Sequence, residues 1–130
     1  MSREILQPEG WTRPRGYANG IAAAGRQVFV SGQIGWDAEQ RMVSDDFTVQ
    51  TRQALSNIID VLACAGAGPG HLVRLTWYVT SRDEYTASLT EIGTIYRELM
   101  GRNFPAMSVV VVAGLLEPRA KVEIEATAVV

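Results

Sequence analysis

With 130 residues, 47% of them apolar and 20% charged, the chain is sized for one domain over residues 1–130 and has an ordinary soluble composition. Its net charge of −2 comes with Lys and Arg scattered along the sequence, which leaves no basic run or Arg–aromatic alternation of the kind that holds nucleic acid. The longest apolar run, Val109–Leu116, falls far short of the roughly 18–20 residues of a membrane span, the charged start "MSREILQPEG" is unlike a secretory leader, and a single cysteine, Cys64, excludes an internal disulfide and fits a reducing cytoplasm.

In chain order, "GIAAAGRQVFVSGQIG" holds two short extended stretches with Gly25-Arg26 between them, the pattern of a hairpin. A polar connection, "WDAEQRMVSDD", follows. From Phe47 the period changes: Phe47, Thr51, Leu55, Ile58, Leu62 and Ala65 recur every three or four residues and make one helix face. Asp45 and Asp46 set negative charge at its start, where the helix dipole favours it, and Gly66 and Gly68 end it. Cys64, among alanines in "VLACAGAG", reads as a small buried residue. "HLVRLTWYVT" alternates with period two and predicts a strand, Val73, Leu75, Trp77 and Val79 on one face and Arg74, Thr76, Tyr78 and Thr80 on the other. "SRDE" is a capping box opening a second helix, with an apolar face of Tyr85, Leu89, Ile92, Tyr96 and Leu99, stopped by Gly101. "SVVVVAGLL" and "KVEIEATAVV" are two final strands joined across "EPRA"; in the last, Val122, Ile124, Ala126, Ala128 and Val130 share a face, and Glu123 and Glu125 share the other.

The order β-β-α-β-α-β-β predicts an α+β sandwich of two layers. Val109–Val112 is apolar on both faces, and two helices can cover only one side of a sheet. The simplest cover for the other side is a second copy of the chain.

Taken together, "GYANGI", "VFVSGQIGWD", "FTVQTRQALSNIIDVLACAGA", "LVRLTWYVTSRDEY", "FPAMSVVVVAGL" and "KVEIEATA" resemble, in order and spacing, the Rid (YjgF-type) imine/enamine deaminase family from about Tyr17 to Ala128. The resemblance implies a chorismate-mutase-like fold, a mixed sheet with two helices on one face, closing as a homotrimeric barrel with small-molecule sites in the clefts between subunits. It also implies hydrolysis of reactive imines and enamines released by pyridoxal-phosphate enzymes to a keto acid and ammonia, with no metal or organic cofactor. By the same resemblance Tyr17 is the site tyrosine, Ser31 and Gly32 are the loop whose backbone approaches the ligand, and Glu123 is the carboxylate that orients water or moves a proton. The family's arginine, after a Pro-Ala step in "P-A-R-S", is replaced here: Pro105-Ala106 is followed by Met107. Val109 stands where a cysteine is often found, and Gly93 where an asparagine precedes Tyr96 by three residues.

The missing arginine has a physical cost. A guanidinium grips a carboxylate through two charge-assisted hydrogen bonds, and a thioether offers no donor. Met107 either packs an interface or walls an apolar pocket for a different ligand; both disfavour the small amino-acid imines. Glu123 is a site carboxylate or a solvated strand edge, and a carboxylate in an apolar cleft can exchange a proton near neutral pH. Glu125 reads as solvated edge, and Tyr17 as site lining or simple packing. Ser31 has no His or Asp nearby to activate it. His71 reads as a surface residue. Arg74, Arg82, Arg102 and Arg119 read as solvated, with Arg102 and Arg119 the two able to reach a cleft from a neighbouring subunit. Trp36 and Trp77 read as packing, and "GAGPG" lacks the lysine of a phosphate loop. Two readings of function follow: a diverged hydrolase of an imine, enamine or related C=N compound lacking a carboxylate at the usual place, or a non-catalytic trimer that binds a small apolar metabolite and regulates a partner. An endoribonuclease, a label attached to some of this family, is disfavoured by the charge.

Overall fold

The computed structural model describes residues 2–130. Six strands and three α-helices occur in the order β1 (Ser2–Leu6), β2 (Gly20–Ala24), β3 (Gln27–Gln33), α1 (Phe47–Cys64), β4 (Leu72–Val79), α2 (Arg82–Ala87), α3 (Leu89–Met100), β5 (Ala106–Val111) and β6 (Val122–Val129). A four-stranded mixed sheet runs β3-β6-β4-β5, and β1 and β2 form a separate ribbon. β4 and β5 are parallel, while β6 is antiparallel to both β3 and β4. One buried cluster joins the helices to the sheet, with Leu55, Ile58 and Leu62 of α1 and Ile92, Ile95 and Tyr96 of α3 set against Leu75, Trp77 and Val79 of β4 and Val122, Ile124 and Ala126 of β6. The helices therefore lie on one face, giving the expected α+β architecture. Among the described residues no helix is long and apolar enough to cross a membrane.

Helix α1 begins where its sequence says it should. Asp46 Oδ1 accepts from the backbone N–H of Thr48 and Val49 at 3.0 and 3.1 Å, satisfying two of the donors a helix start leaves free. The Thr48 hydroxyl, then the amides, hold the Asp46 carboxyl below its usual range. Behind this cap, Gln50 is fully buried. Its Nε2 donates to the carbonyls of Ser44 and Arg119, both at 3.0 Å, and its Oε1 accepts from the Lys121 N–H at 2.8 Å. One side chain thus ties the start of α1 to the turn that launches β6. Gly35 makes this approach possible, since a Cβ there would lie 2.6 Å from Gln50 Cα.

Several expectations are corrected. The hairpin does not form: β2 pairs with β1, Ser2 opposite Ala24 through Leu6 opposite Gly20, and β3 pairs with β6. Gly25, at φ +146°, presses so closely on the last residue that a Cβ would sit 2.6 Å from the Val130 carbonyl. Arg26 and Val130 then exchange both backbone hydrogen bonds at 2.8 Å, which commits the chain to β6. The second helix is two helices, split at Ser88, whose N–H turns back to the Tyr85 carbonyl. Ser81 caps α2 by accepting from the Glu84 N–H at 3.1 Å, but the Glu84 carboxylate goes to Lys121 instead of closing the box. A register shift between Leu72 and Arg74 puts Leu72 in the core and leaves Val73 half-buried. Cys64 is exposed: two residues past Leu62, it is turned by about 200° from the buried stripe. His71 is not a free surface residue either; its Nδ1 accepts from the Gly68 N–H at 3.0 Å, closing a single 3₁₀ turn. Finally, β5 is a sheet edge. Val109, Val110 and Val111 are 41%, 43% and 47% exposed, so neither face of this strand is fully covered within one chain.

Candidate functional site

Each site residue is delivered by a different device. Ser31 and Gly32 lie in the register shift between Val30 and Gln33 of β3, where one extra residue interrupts the ladder; such bulges recur beside active sites. Gly32 is required by a close approach. A Cβ on it would meet Glu123 Oε2, Cδ and Cγ at 2.5, 2.7 and 2.8 Å, so the Glu123 side chain lies across the strand where any other residue would put its own. Both border a cavity of about 250 Å³ with Ile34, Trp36, Leu116 and Glu117.

The two carboxylates of β6 share a face but not an environment. Tyr78 donates its hydroxyl to Glu125 Oε1 at 2.8 Å, and this bond is the first cause of a raised Tyr78 pKa. Glu125 is therefore engaged by a cross-strand partner and is not simply a solvated edge. Glu123, half-buried, has no hydrogen-bond or ion-pair partner among the described residues. Ser31 is bonded only by Gln33 Nε2, at 3.4 Å to Oγ, with no base to activate it. No group of His, Cys, Asp and Glu suited to a metal ion occurs among the described residues.

Met107 belongs to a second cavity. The Tyr96 hydroxyl donates to the Asn103 carbonyl, and its ring stacks on Phe104 at 5.5 Å between centroids; together they fix the turn from α3 into β5. Burial pushes the Tyr96 pKa far up, so the hydroxyl stays a donor. Ala106 bridges to Ala18, whose N–H donates to the Pro105 carbonyl at 3.0 Å, and Gly16 at φ +78° turns the incoming loop. Met107 then packs toward the helices, on the wall of a cavity of about 320 Å³ that Gly93, Val109, Trp77, Arg15 and Arg97 also line. All three positions where polar family residues are absent thus border one space. Tyr17, 42% exposed, opens instead onto a wider cavity of about 740 Å³ with Arg3, Trp11, Arg13 and Arg102. Gly16 and Phe104 wall both spaces.

Gly32 and Glu123 are therefore together, and Ala106 joins Met107 to the Tyr17 loop. Met107 and Glu123 are not together within one chain. Met107 registers with buried Leu75 on the helix face, whereas Glu123 registers with Tyr78 on the opposite face. Of the arginines singled out, Arg119 is paired with Asp45 at 2.9 Å and Arg102 faces the Tyr17 cavity. The guanidiniums beside Met107 come from Arg15 and Arg97, which the sequence reading passed over. The available signal was helical spacing: Arg97 follows Gly93 by four residues, one turn along the same face.

A sequence model described as Endoribonuclease L-PSP matches residues 12–130. The chain belongs to this family, the Rid family. A Rid-family protein of Yersinia pestis, described as of unknown function, superposes with a TM-score of 0.86 at 34% identity, covering all of both chains. A 2-iminobutanoate/2-iminopropanoate deaminase of Salmonella typhimurium is 34% identical over 99% of this chain and 98% of its own length. A RutC family protein of Pyrococcus horikoshii is 30% identical over 97% of both. The Rid fold expected from the motifs is thus the fold observed.

Proposed function

We propose that this Rid protein hydrolyses an imine, enamine or related C=N metabolite in a cleft closed between copies of the chain, and that its substrate is not a small 2-imino acid. The observation that carries this reading is the half-buried, unpartnered Glu123 carboxylate lying over Gly32 at a strand bulge. Such a carboxylate can take a proton from water as the oxygen adds to the C=N carbon and pass it to the nitrogen; the C–N bond then breaks as the hydroxyl proton is transferred to the departing nitrogen, leaving the carbonyl and ammonia. Backbone N–H groups at the interrupted ladder near Gly32 and at the Ala106–Met107 start of β5 polarise the substrate, and Tyr17 shapes the cleft. The Salmonella relative's description as an imino-acid deaminase supports the reaction class.

Closure by copies, a homotrimer as in the expected barrel, is supported by the sheet face turned away from the helices. Phe29 of β3, opposite Thr127 on that face, is 71% exposed, and Val110 of β5, on the same face at the other edge of the sheet, is 43% exposed. A cleft of that kind also answers the separation of Met107 from Glu123, because the two faces come from different copies. Met107 is the reason to exclude small 2-imino acids: no donor stands at that position to hold a carboxylate adjacent to the C=N bond.

The test is acceleration of ammonia release over the spontaneous rate. Imines made by an amino acid oxidase from alanine or leucine carry the adjacent carboxylate; imines made by an amine oxidase do not. Acceleration is expected on the second group, to be lost in Glu123→Gln. On the first group it is expected to be weak, and to rise in Met107→Arg more than in Met107→Lys. Strong wild-type turnover of the alanine and leucine imines overturns the substrate claim. No acceleration on either group favours the non-catalytic binding trimer.

A further inference from the structure

We propose that Arg97, with Arg15, anchors the acid group of a ligand whose apolar body fills the Met107 cavity, so that the guanidinium absent from β5 is supplied from α3. The inference rests on that cavity being the ligand cavity of the proposed function, and it names the substrate class: an apolar-bodied acid whose negative charge is separated from the C=N group.

Four observations converge. The cavity of about 320 Å³ is walled largely by Trp77, Ile92, Phe104, Met107 and Val109, and its only charged lining residues are Arg15 and Arg97, with no carboxylate. Neither guanidinium makes an ion pair or hydrogen bond among the described residues, as is also true of the Arg13, Arg41, Arg74, Arg82 and Arg102 side chains, whereas Arg52, Arg119 and Lys121 are paired. Arg97 folds back over Gly93: a Cβ there would lie in ordinary contact, 3.5 Å from its Nη1, so a side chain branching beyond Cβ would crowd the guanidinium. Trp77, which also lines the cavity, is 3% exposed, and its indole N–H is buried without a partner. Polar groups buried this completely are normally satisfied. Arg15 and Arg97 are exposed, so a carboxylate would meet them at the solvent-facing side of the cavity, where a planar fork can grip it through two bonds.

Gly93 and Met107 then have one explanation. On β5 the guanidinium is gone; on α3 the side chain at 93 is gone, and the space holds a guanidinium from one turn further on. An acid held by Arg97 is held from α3 and not from the Met107 position on β5, which is why its charge is assigned a place apart from the C=N carbon.

The experiment is calorimetric binding of 3-phenylpropanoate against its uncharged analogue 3-phenylpropanamide, with assembly mass followed by light scattering. Wild type is expected to prefer the acid by about tenfold or more, the scale of one hydrogen bond to a charged group. Arg97→Gln is expected to lose that preference with its mass unchanged, Arg97→Lys to keep part of it, and Gly93→Val to lose it although no charge is altered. The proposal is overturned if wild type shows no preference, if Arg97→Gln retains it, or if Arg97→Gln changes the assembly mass. Acid preference without ammonia release from any imine leaves the anchor standing and removes the hydrolase reading; ammonia release without acid preference does the reverse.

Discussion

Replacing Gln50 by leucine tests whether one buried amide holds β6 in register. The leucine fills nearly the same space and makes none of the three bonds. It strands the Lys121 N–H and the Ser44 and Arg119 carbonyls, which now meet Gln50 at 2.8, 3.0 and 3.0 Å. Each buried group left unsatisfied costs about 1–3 kcal/mol. The sum overstates the loss, because Arg119 is exposed and water can reach its carbonyl. Lys121 precedes fully buried Val122, so its N–H carries most of the penalty. A net loss of about 2–4 kcal/mol follows, and at about 3–5 °C per kcal/mol for a chain of this size the melting temperature falls by roughly 6–20 °C. Thermal unfolding at one fixed protomer concentration reads it, since any assembly of copies would also raise the midpoint. Gln50→Glu, which keeps an acceptor for Lys121 but removes both donors and adds a buried charge, is expected to fall at least as far. A Gln50→Leu protein melting within about 2 °C of wild type would refute the reasoning.

Gly32→Ala separates stability from activity: its Cβ would lie 2.5 Å from Glu123 Oε2, so the flexible carboxylate swings away. Stability should change by less than about 1 kcal/mol, while ammonia release should fall about a hundredfold, the scale of an ångström's misplacement; unchanged activity at unchanged stability would show that the Glu123 position is immaterial. For assembly, light scattering should give about three times the 14.2 kDa chain, and Val110→Asp, on the face with Tyr78, should dissociate it by burying an unpaired charge. A wild-type mass near 14.2 kDa at micromolar concentration, or a soluble Val110→Asp trimer, would sink that reading.

What the sequence determined by itself is local. The Asp46 cap, the three-to-four spacing of Leu55, Ile58 and Leu62, the alternation of Val122, Ile124 and Ala126, and the Gly101 stop depend on near neighbours, and each is found in place. The motif order carried the family and therefore the fold. Tertiary structure decided whatever depends on partners far along the chain. Strand pairing is one case: the Gly20–Ala24 stretch is equally ready to bond either neighbour, and contact with Val130 at Gly25 sent it to β1. Bulges are another, since the slips that bury Leu72 and expose Gly32 to Glu123 arise only when β6 is laid alongside. Charge partners are the third. Glu123 and Glu125 are two residues apart and alike in sequence, but Tyr78 from another strand occupies one and leaves the other free. The arginines beside Met107 likewise became visible only when α3 and the Arg15 loop closed over β5, because a guanidinium's reach is set by the path of the backbone that carries it.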